Sequence, residues 1–170
     1  MHYSNGTWDL VELPSGEKSI GFKGVFWIKR NANSSIERFK AHIVAKWFSQ
    51  RPGFDYLETY ASTLHSATIW LILALAAIED LHLCSVDMSH AFIQSDIDTV
   101  VYVRQADGFQ VNGPNWVWRL NKSLYGLKQS PRLFDRKFAE MMHLMDCIQL
   151  QSDPCIYIWK IGSRFLCQSL

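Results

Sequence analysis

The chain has 170 residues, of which 48% are hydrophobic and 19% charged, and its formal net charge is +1. This composition excludes a disordered, collagen-like or low-complexity chain and is typical of one folded domain. The longest apolar run, residues 69–78, is too short to span a bilayer. No secretory leader follows Met1, and the four cysteines lack CxxC spacing. We therefore expect an intracellular protein with reduced thiols, neither secreted nor bound to a membrane.

Charge is distributed unevenly along the chain. Residues 1–51 carry a net charge of +4, residues 52–110 carry −7, and residues 111–170 carry +4. Two basic flanks around an acidic middle favour a site that binds a polyanion together with metal ions. Three patches of ordinary solvated surface are the alternative interpretation.

The first strong pattern predicts a β-hairpin. Residues 20–30 and 36–46 are rich in β-branched and aromatic side chains, and the polar cluster at residues 31–35 separates them. In the second strand Lys40 and His42 alternate with Phe39 and Ala41, so they lie on the opposite face. We expect a hairpin with one basic face.

The rest of the chain predicts a mixture of helices and strands. The all-round apolar residues 66–80 favour a buried helix with Ser66 near its N-cap. Ser130 followed by Pro131 marks the start of an amphipathic helix over residues 131–146. The predicted strands cover residues 81–87 (a core strand ending in an acid), 99–104, 156–159 and 164–167. Because these elements alternate irregularly, we expect an α+β fold.

Four segments together resemble a known family. GVFWIKRNANSSIERFKAHIVAKWFSQRPGFDY, ATIWLILALAAIEDLHLCSVDMSHAFIQSDIDTVVYV, RLNKSLYGLKQSPRLFDRKF and SDPCIYI are similar in content and order to the reverse transcriptase of copia-type retrotransposons. The resemblance runs over residues 8–165. It implies the fingers and a partial palm of a right-hand polymerase, which copies RNA or DNA with deoxynucleoside triphosphates and Mg²⁺.

The resemblance implies a catalytic site around residue 87. Asp87, in VDMSHAF, stands where the family has its first catalytic, metal-binding aspartate, and the backbone carbonyl of Met88 would lie beside the nucleotide. Phe92 stands where a bulky ring excludes the ribose 2′-hydroxyl. Carboxylates suit this chemistry because Mg²⁺ prefers oxygen ligands and neutralises the triphosphate. Without the family, Asp87 would be a strand-end cap or turn residue and Phe92 a core residue.

Further positions are implied to contact nucleotide or nucleic acid. Lys40 and His42 stand where the family uses a Lys and an Arg to hold the triphosphate, although His lacks the guanidinium fork. Gln129 matches a residue beside the incoming sugar, and Lys128 and Arg132 are placed to contact backbone phosphate. A solvated hairpin face and a charged helix start are the alternative interpretations.

The sequence also departs from the family. Charged or glycine positions of the family pattern are replaced here, among them those at Asn33-Ser34, Trp47, Trp70 and Ser89-His90. The YVDD element of the family does not occur, and no Asp or Glu follows Asp153. We therefore expect a catalytically inactive fragment without the other Pol polyprotein domains. A polymerase completed by a partner chain and a nonenzymatic nucleic-acid-binding module are the alternatives.

The resemblance also implies how the chain is divided and where it acts. Its expected partners are an RNA or DNA template-primer and deoxynucleoside triphosphates, in the cytoplasm, a virus-like particle or the nucleus. The expected divisions are fingers at residues 1–80, the palm strand at 81–95, a fingers return segment at 96–128, and an incomplete palm helix and hairpin at 129–170.

Overall fold

The computed structural model describes residues 5–86, 88, 90–108, 110–161 and 164–169. Within these ranges the chain combines β-strands with two α-helices, which confirms the α+β class. The strands are β1 (Trp8–Glu12), β2 (Ser19–Ile20), β3 (Phe22–Arg30), β4 (Ile36–Ala45), β5 (Tyr102–Arg104), β6 (Trp116–Leu120), β7 (Ile148–Gln149), β8 (Ile156–Ile161) and β9 (Arg164–Ser169). The helices are α1 (Ser66–Ile78) and α2 (Ser130–Leu144).

A four-stranded sheet holds the main core. Its order is β1-β6-β5-β2, antiparallel except for the parallel pair β2–β5. Trp8 and Trp118 stack face to face in this core with ring centroids 4.5 Å apart. The predicted strand at residues 99–104 is confirmed in its second half as β5, whereas β1 and β6 had no counterpart among the predicted elements.

The predicted hairpin is confirmed as β3 and β4, which pair antiparallel from Phe22 opposite Ala45 to Arg30 opposite Ile36. Its turn places Ser34 at φ +65°. Asn33 Oδ1 closes the turn by accepting hydrogen bonds from the backbone and hydroxyl of Ser35. Only the base of the hairpin is buried, since Ala45 joins the main core while Phe26 in the middle of the hairpin and Phe39 closer to the tip are exposed. The hairpin therefore projects from the core.

Helix α2 confirms the predicted helix at residues 131–146, starting one residue earlier and ending two residues earlier. Its predicted apolar stripe packs inward through Phe138 and Met142, while Met145 at its end is exposed. Tyr157 of β8 packs edge-on against Phe138 with ring centroids 5.5 Å apart. β7, β8 and β9 form a second antiparallel sheet, which agrees with the two strands predicted there.

Helix α1 confirms the predicted helix but not its burial. Apart from Ala76 no residue of α1 is buried, and Trp70 and Ile78 are more than 70% exposed. The predicted core strand at residues 81–87 is also wrong as far as the structure describes it, since residues 81–86 are exposed and form no strand. The helix forms because its local sequence favours it. Burial and strand pairing also need neighbouring elements, and the described part of the chain packs too few of them against residues 66–86.

A buried carboxylate from a distant loop caps α1. Asp153 is 1% exposed and accepts hydrogen bonds from the backbone N–H of His65 and Cys155. The hydroxyl of Thr68 also donates to it and is the main cause of a lowered Asp153 pKa. A carboxylate at a helix N-terminus accepts hydrogen bonds from N–H groups that have no partner within the helix. Its negative charge is also attracted to the positive end of the helix dipole. Asp153 thus ties α1 to the loop before β8.

We expect Asp153→Asn to destabilise the chain and to flatten the acid side of its pH–stability profile. The pKa of Asp153 lies below its ordinary 3.8 in the folded state. Its stabilising effect is therefore complete above the unfolded pKa and is lost as pH falls through the folded one. Urea unfolding between pH 7 and pH 3 measures this. Asp107→Asn, at an exposed position, is the control, and equal profiles for both variants would contradict the prediction.

Candidate nucleotide and nucleic-acid site

The turn between β6 and α2 docks directly on the end of β4. Gly126 in this turn has φ +88°, and a Cβ there would lie 2.4 Å from the carbonyl oxygen of Ala45. The backbone N–H of Ala45 donates to the carbonyl of Tyr125 over 2.8 Å. Only glycine permits both the left-handed conformation and this close approach. The contact brings Tyr125 beside the hairpin.

Three aromatic rings from separate segments meet at this junction. Tyr125 lies edge-on to Phe92, with ring centroids 4.7 Å apart, and 6.4 Å from the ring of His42. Phe92 also contacts Phe134 of α2, at 6.0 Å between centroids. The structure therefore brings together two residues that the sequence marked, His42 and Phe92.

Tyr125 was missed by sequence reasoning. Its side chain is 59% exposed although it contacts Phe92, so it presents a ring to solvent between the hairpin and residue 92. The sequence signal that could have identified Tyr125 is its position directly before the glycine of a tight turn. Its contact with residues 42 and 92 could not be seen in the sequence, because these three residues are far apart in the chain.

The basic face of the hairpin runs from this junction toward the tip. The strand register sets Lys40 opposite Trp27 and His42 opposite Val25, so these side chains share a face. Among the ion pairs of the described residues, none involves Lys40, whereas Lys29 on the same hairpin is bonded to Glu37 at 2.9 Å. Lys40, two residues from His42, thus forms no ion pair within the described residues, although its charge also acts on Glu37.

Gln129 lies inside the chain. It is 0% exposed, its Nε2 donates to the Asp55 carbonyl at 2.9 Å and to Thr99 Oγ1 at 3.2 Å, and its Oε1 accepts from Gln50 Nε2 at 2.9 Å. The other end of the Gln50 amide accepts from the backbone N–H of Lys128. This network holds the start of α2 to two distant loops. The predicted contact of Gln129 with an incoming nucleotide stays a prediction.

The two predicted phosphate contacts have different surroundings. Lys128 donates to the Tyr56 hydroxyl at 2.9 Å and lies over the rings of Tyr56 and Trp47. Arg132 is bonded to Asp98 and to the backbone carbonyl of Glu58. A guanidinium already paired with a carboxylate attracts phosphate less than the Lys128 ammonium does, because Lys128 has no carboxylate partner among the described residues.

The predicted metal site lies largely outside the described residues. Asp87 is outside them, and Met88 packs its side chain against the core of Phe138 and Met142. The described part of the chain contains no group of three or more His, Cys, Asp or Glu side chains that could hold a metal. Asp96 is bonded to Lys122, which lowers its pKa. The described residues do not form a Mg²⁺ site, so Mg²⁺ binding stays a prediction.

Comparison with known proteins identifies a family and several relatives. The family described as reverse transcriptase (RNA-dependent DNA polymerase) matches residues 5–169. The chain is 40% identical over 161 residues to the retrovirus-related Pol polyprotein from transposon TNT 1-94 of Nicotiana tabacum, covering 94% of the chain and 12% of that protein. It is 35% and 34% identical, each over 164 residues, to the Pol polyproteins from transposons RE1 and RE2 of Arabidopsis thaliana. These alignments cover 95% of the chain and 11% of each relative.

The chain therefore spans about a ninth of the length of these relatives. No solved structure matches it. Among the described helices, none combines the length and apolar character needed to cross a membrane.

Proposed function

Because the chain belongs to the reverse transcriptase (RNA-dependent DNA polymerase) family, we propose that it forms the fingers and part of the palm of a retrotransposon Pol polyprotein. In that setting it binds a template-primer and deoxynucleoside triphosphates for RNA-directed DNA synthesis. The proposed divisions are fingers at residues 1–80 and 96–128, and palm at 81–95 and 129–170.

The observation that carries this proposal is the convergence of His42, Phe92 and Tyr125. These residues come from the hairpin, the turn after the predicted catalytic aspartate and the loop before α2. A nucleotide needs a cation for its phosphates and an apolar wall for its sugar and base. Lys40 supplies the cation, and the Phe92 and Tyr125 rings supply the apolar wall.

The roles of the side chains follow from their chemistry. The Lys40 ammonium holds a triphosphate oxygen, while the His42 imidazole adds a hydrogen bond without the permanent charge of an arginine. The Phe92 ring is fixed between Tyr125 and Phe134, so it excludes a ribose 2′-hydroxyl by volume. Asp87 is the proposed metal-binding carboxylate. When bound, Mg²⁺ neutralises charge on the transferred phosphoryl group.

We further propose that the 170-residue polypeptide binds nucleotide without polymerising it. Two metal ions about 3.5–4 Å apart require several carboxylates in one place. Asp87 is the proposed ligand, while Asp96 and Asp98 are each bonded to a cation, Lys122 and Arg132. A partner that supplies further carboxylates would restore polymerisation. Nucleic-acid binding without catalysis is the second candidate function, favoured by Lys40 and Lys128, which form no ion pair with a carboxylate among the described residues.

The test is binding of deoxythymidine triphosphate to the purified polypeptide, followed by calorimetry. We expect Lys40→Gln to weaken binding by about tenfold, since a charge-assisted hydrogen bond contributes about 1.5 kcal/mol. Lys18→Gln, at an exposed lysine outside the site, is the matched control. Equal affinities for the two variants would contradict the nucleotide site.

In the same preparation, labelled nucleotide should not be incorporated on a primed template with Mg²⁺ or Mn²⁺. Incorporation that Asp87→Asn abolishes and Asp107→Asn leaves intact would overturn the proposed inactivity. Such a result would still support the family function, because it would assign catalysis to Asp87.

A further inference from the structure

The short turn that carries Phe92 has little support of its own. It is a single turn of 3₁₀ helix, Ala91–Gln94, closed by a hydrogen bond of 3.2 Å from the backbone N–H of Ser95 to the carbonyl of Phe92. His90, directly before it, has φ +58° in the left-handed region, which is uncommon for a residue with a side chain. Such a short element depends on tertiary contacts for its position. The Phe92 ring is therefore oriented mainly by the side chains that pack against it.

Two rings from other segments pack against Phe92 at steep angles. The ring planes of Phe92 and Tyr125 meet at 73°, with centroids 4.7 Å apart, and those of Phe92 and Phe134 meet at 81°, with centroids 6.0 Å apart. Edge-to-face pairs of this kind are attractive. Tyr125 lies in a loop and is largely exposed, whereas Phe134 is half-buried on α2. Phe134 is therefore the more firmly placed of the two supports.

Phe134 belongs to a line of rings that begins in the core between α2 and β8. Its ring lies 6.2 Å from that of Phe138, between centroids, and Phe138 is buried. Phe138 in turn lies 5.5 Å from the buried ring of Tyr157 in β8. A close-packed core leaves its side chains few alternative positions. This line of rings therefore fixes Phe134 and, through it, limits the movement of Phe92.

We propose that Phe134 is a positioning residue that holds the Phe92 ring in place and thereby sets how strongly the site prefers a deoxyribonucleotide to a ribonucleotide. The inference rests on the proposed function, in which Phe92 faces the sugar. A ring excludes a 2′-hydroxyl only while it cannot move aside, and removal of the Phe134 ring would leave a space beside it. The triphosphate contact of Lys40 does not depend on this space, so binding itself persists while the preference falls.

The experiment compares the binding of deoxyuridine triphosphate and uridine triphosphate, which differ only in the 2′-hydroxyl, to the 170-residue polypeptide by calorimetry. We expect the parent polypeptide to favour the deoxyribonucleotide and Phe134→Ala to reduce this preference by about tenfold, since an apolar wall discriminates against an added hydroxyl by about 100-fold in all. Phe134→Leu, which keeps more of the volume, should reduce it less. Circular dichroism checks folding, and Phe134→Leu replaces Phe134→Ala in the comparison if the alanine variant does not fold.

Met141→Ala is the matched control. Met141 is another half-buried residue of α2 that packs against the same core, about two turns further along the helix. Its truncation should lower stability without changing the preference between the two triphosphates. In a Phe92→Ala background, Phe134→Ala should change the preference no further, because Phe134 acts through Phe92.

Three results would overturn the inference and leave the proposed nucleotide site standing. They are an unchanged preference in Phe134→Ala and Phe134→Leu, an equal reduction in Met141→Ala, and a further reduction in the Phe92→Ala background. Equal binding of both triphosphates by the parent polypeptide would also overturn it, since Phe92 would then exclude nothing. If the parent bound neither triphosphate, or if Lys40→Gln bound like Lys18→Gln, the proposed function would fail as well, so the two failures are distinguishable.

Discussion

Replacing Gly126 by alanine is expected to destabilise the chain by about 3 kcal/mol or more. Residue 126 has φ +88°, which costs any L side chain about 1–2 kcal/mol. In addition, the new methyl group would lie 2.4 Å from the Ala45 carbonyl oxygen, which is backbone and cannot rotate away. The turn and β4 must therefore separate, and the hydrogen bond between Ala45 and Tyr125 is lost. Urea unfolding followed by circular dichroism measures the change.

The matched control for this variant is Gly16→Ala. Gly16 has φ +85°, but no atom lies within 4 Å of the position that a Cβ would occupy. It therefore reports the backbone cost alone, about 1 kcal/mol. Equal losses in the two variants would show that the close approach of β4 contributes nothing. We also expect weaker nucleotide binding in Gly126→Ala under conditions where it stays folded, because His42 and Tyr125 move apart.

Gln129→Leu is expected to lower the free energy of unfolding by about 2–3 kcal/mol. The substitution removes three hydrogen bonds of the buried Gln129 side chain and leaves Nε2 of Gln50 without its acceptor. A buried polar group that loses its partner costs more than the hydrogen bond contributed. Gln110→Leu, at an exposed position, should change stability little.

A double-mutant cycle measures how much the interaction between Gln50 and Gln129 itself contributes to stability. If Gln50 and Gln129 act together, the variant with leucine at both positions should be less destabilised than the sum of the single variants, by about 1 kcal/mol. Simple additivity would contradict the proposed coupling. A Gln129→Leu variant that unfolds like the parent chain but loses nucleotide binding would instead assign Gln129 to the site.

Local patterns predicted the hairpin and α2 well. The alternation of Phe39, Lys40, Ala41 and His42 predicted that Lys40 and His42 lie on one face of the strand and Phe39 and Ala41 on the other. The pairing register of β3 and β4 confirms this division. Ser130 and Pro131 marked the start of α2 because a proline is tolerated in the first turn of a helix. Both patterns depend on residues that are close together in the chain, so they can be recognised from the sequence alone.

Burial was predicted less well, and α1 shows why. Its apolar composition predicted a buried helix, and its residues do form a helix, yet only Ala76 is buried because the described chain packs little against the rest of it. Residues 81–86 show the same limit, since a strand needs an edge with which to pair. Asp153 is the converse case, a polar residue whose burial follows from its place at the start of α1.

The sequence by itself determined the family, the basic face with Lys40 and His42, and the secondary structure of the hairpin and α2. These depend on residue order over short spans and on long matching segments. Tertiary structure alone decided that Tyr125 stands beside Phe92 and His42, and that Gln129 is enclosed by Gln50 and Asp55. Such contacts join residues 30 to 83 positions apart in the chain, from Thr99–Gln129 to His42–Tyr125. They arise because the glycine turn at residue 126 packs on β4, a packing event that local preference does not encode.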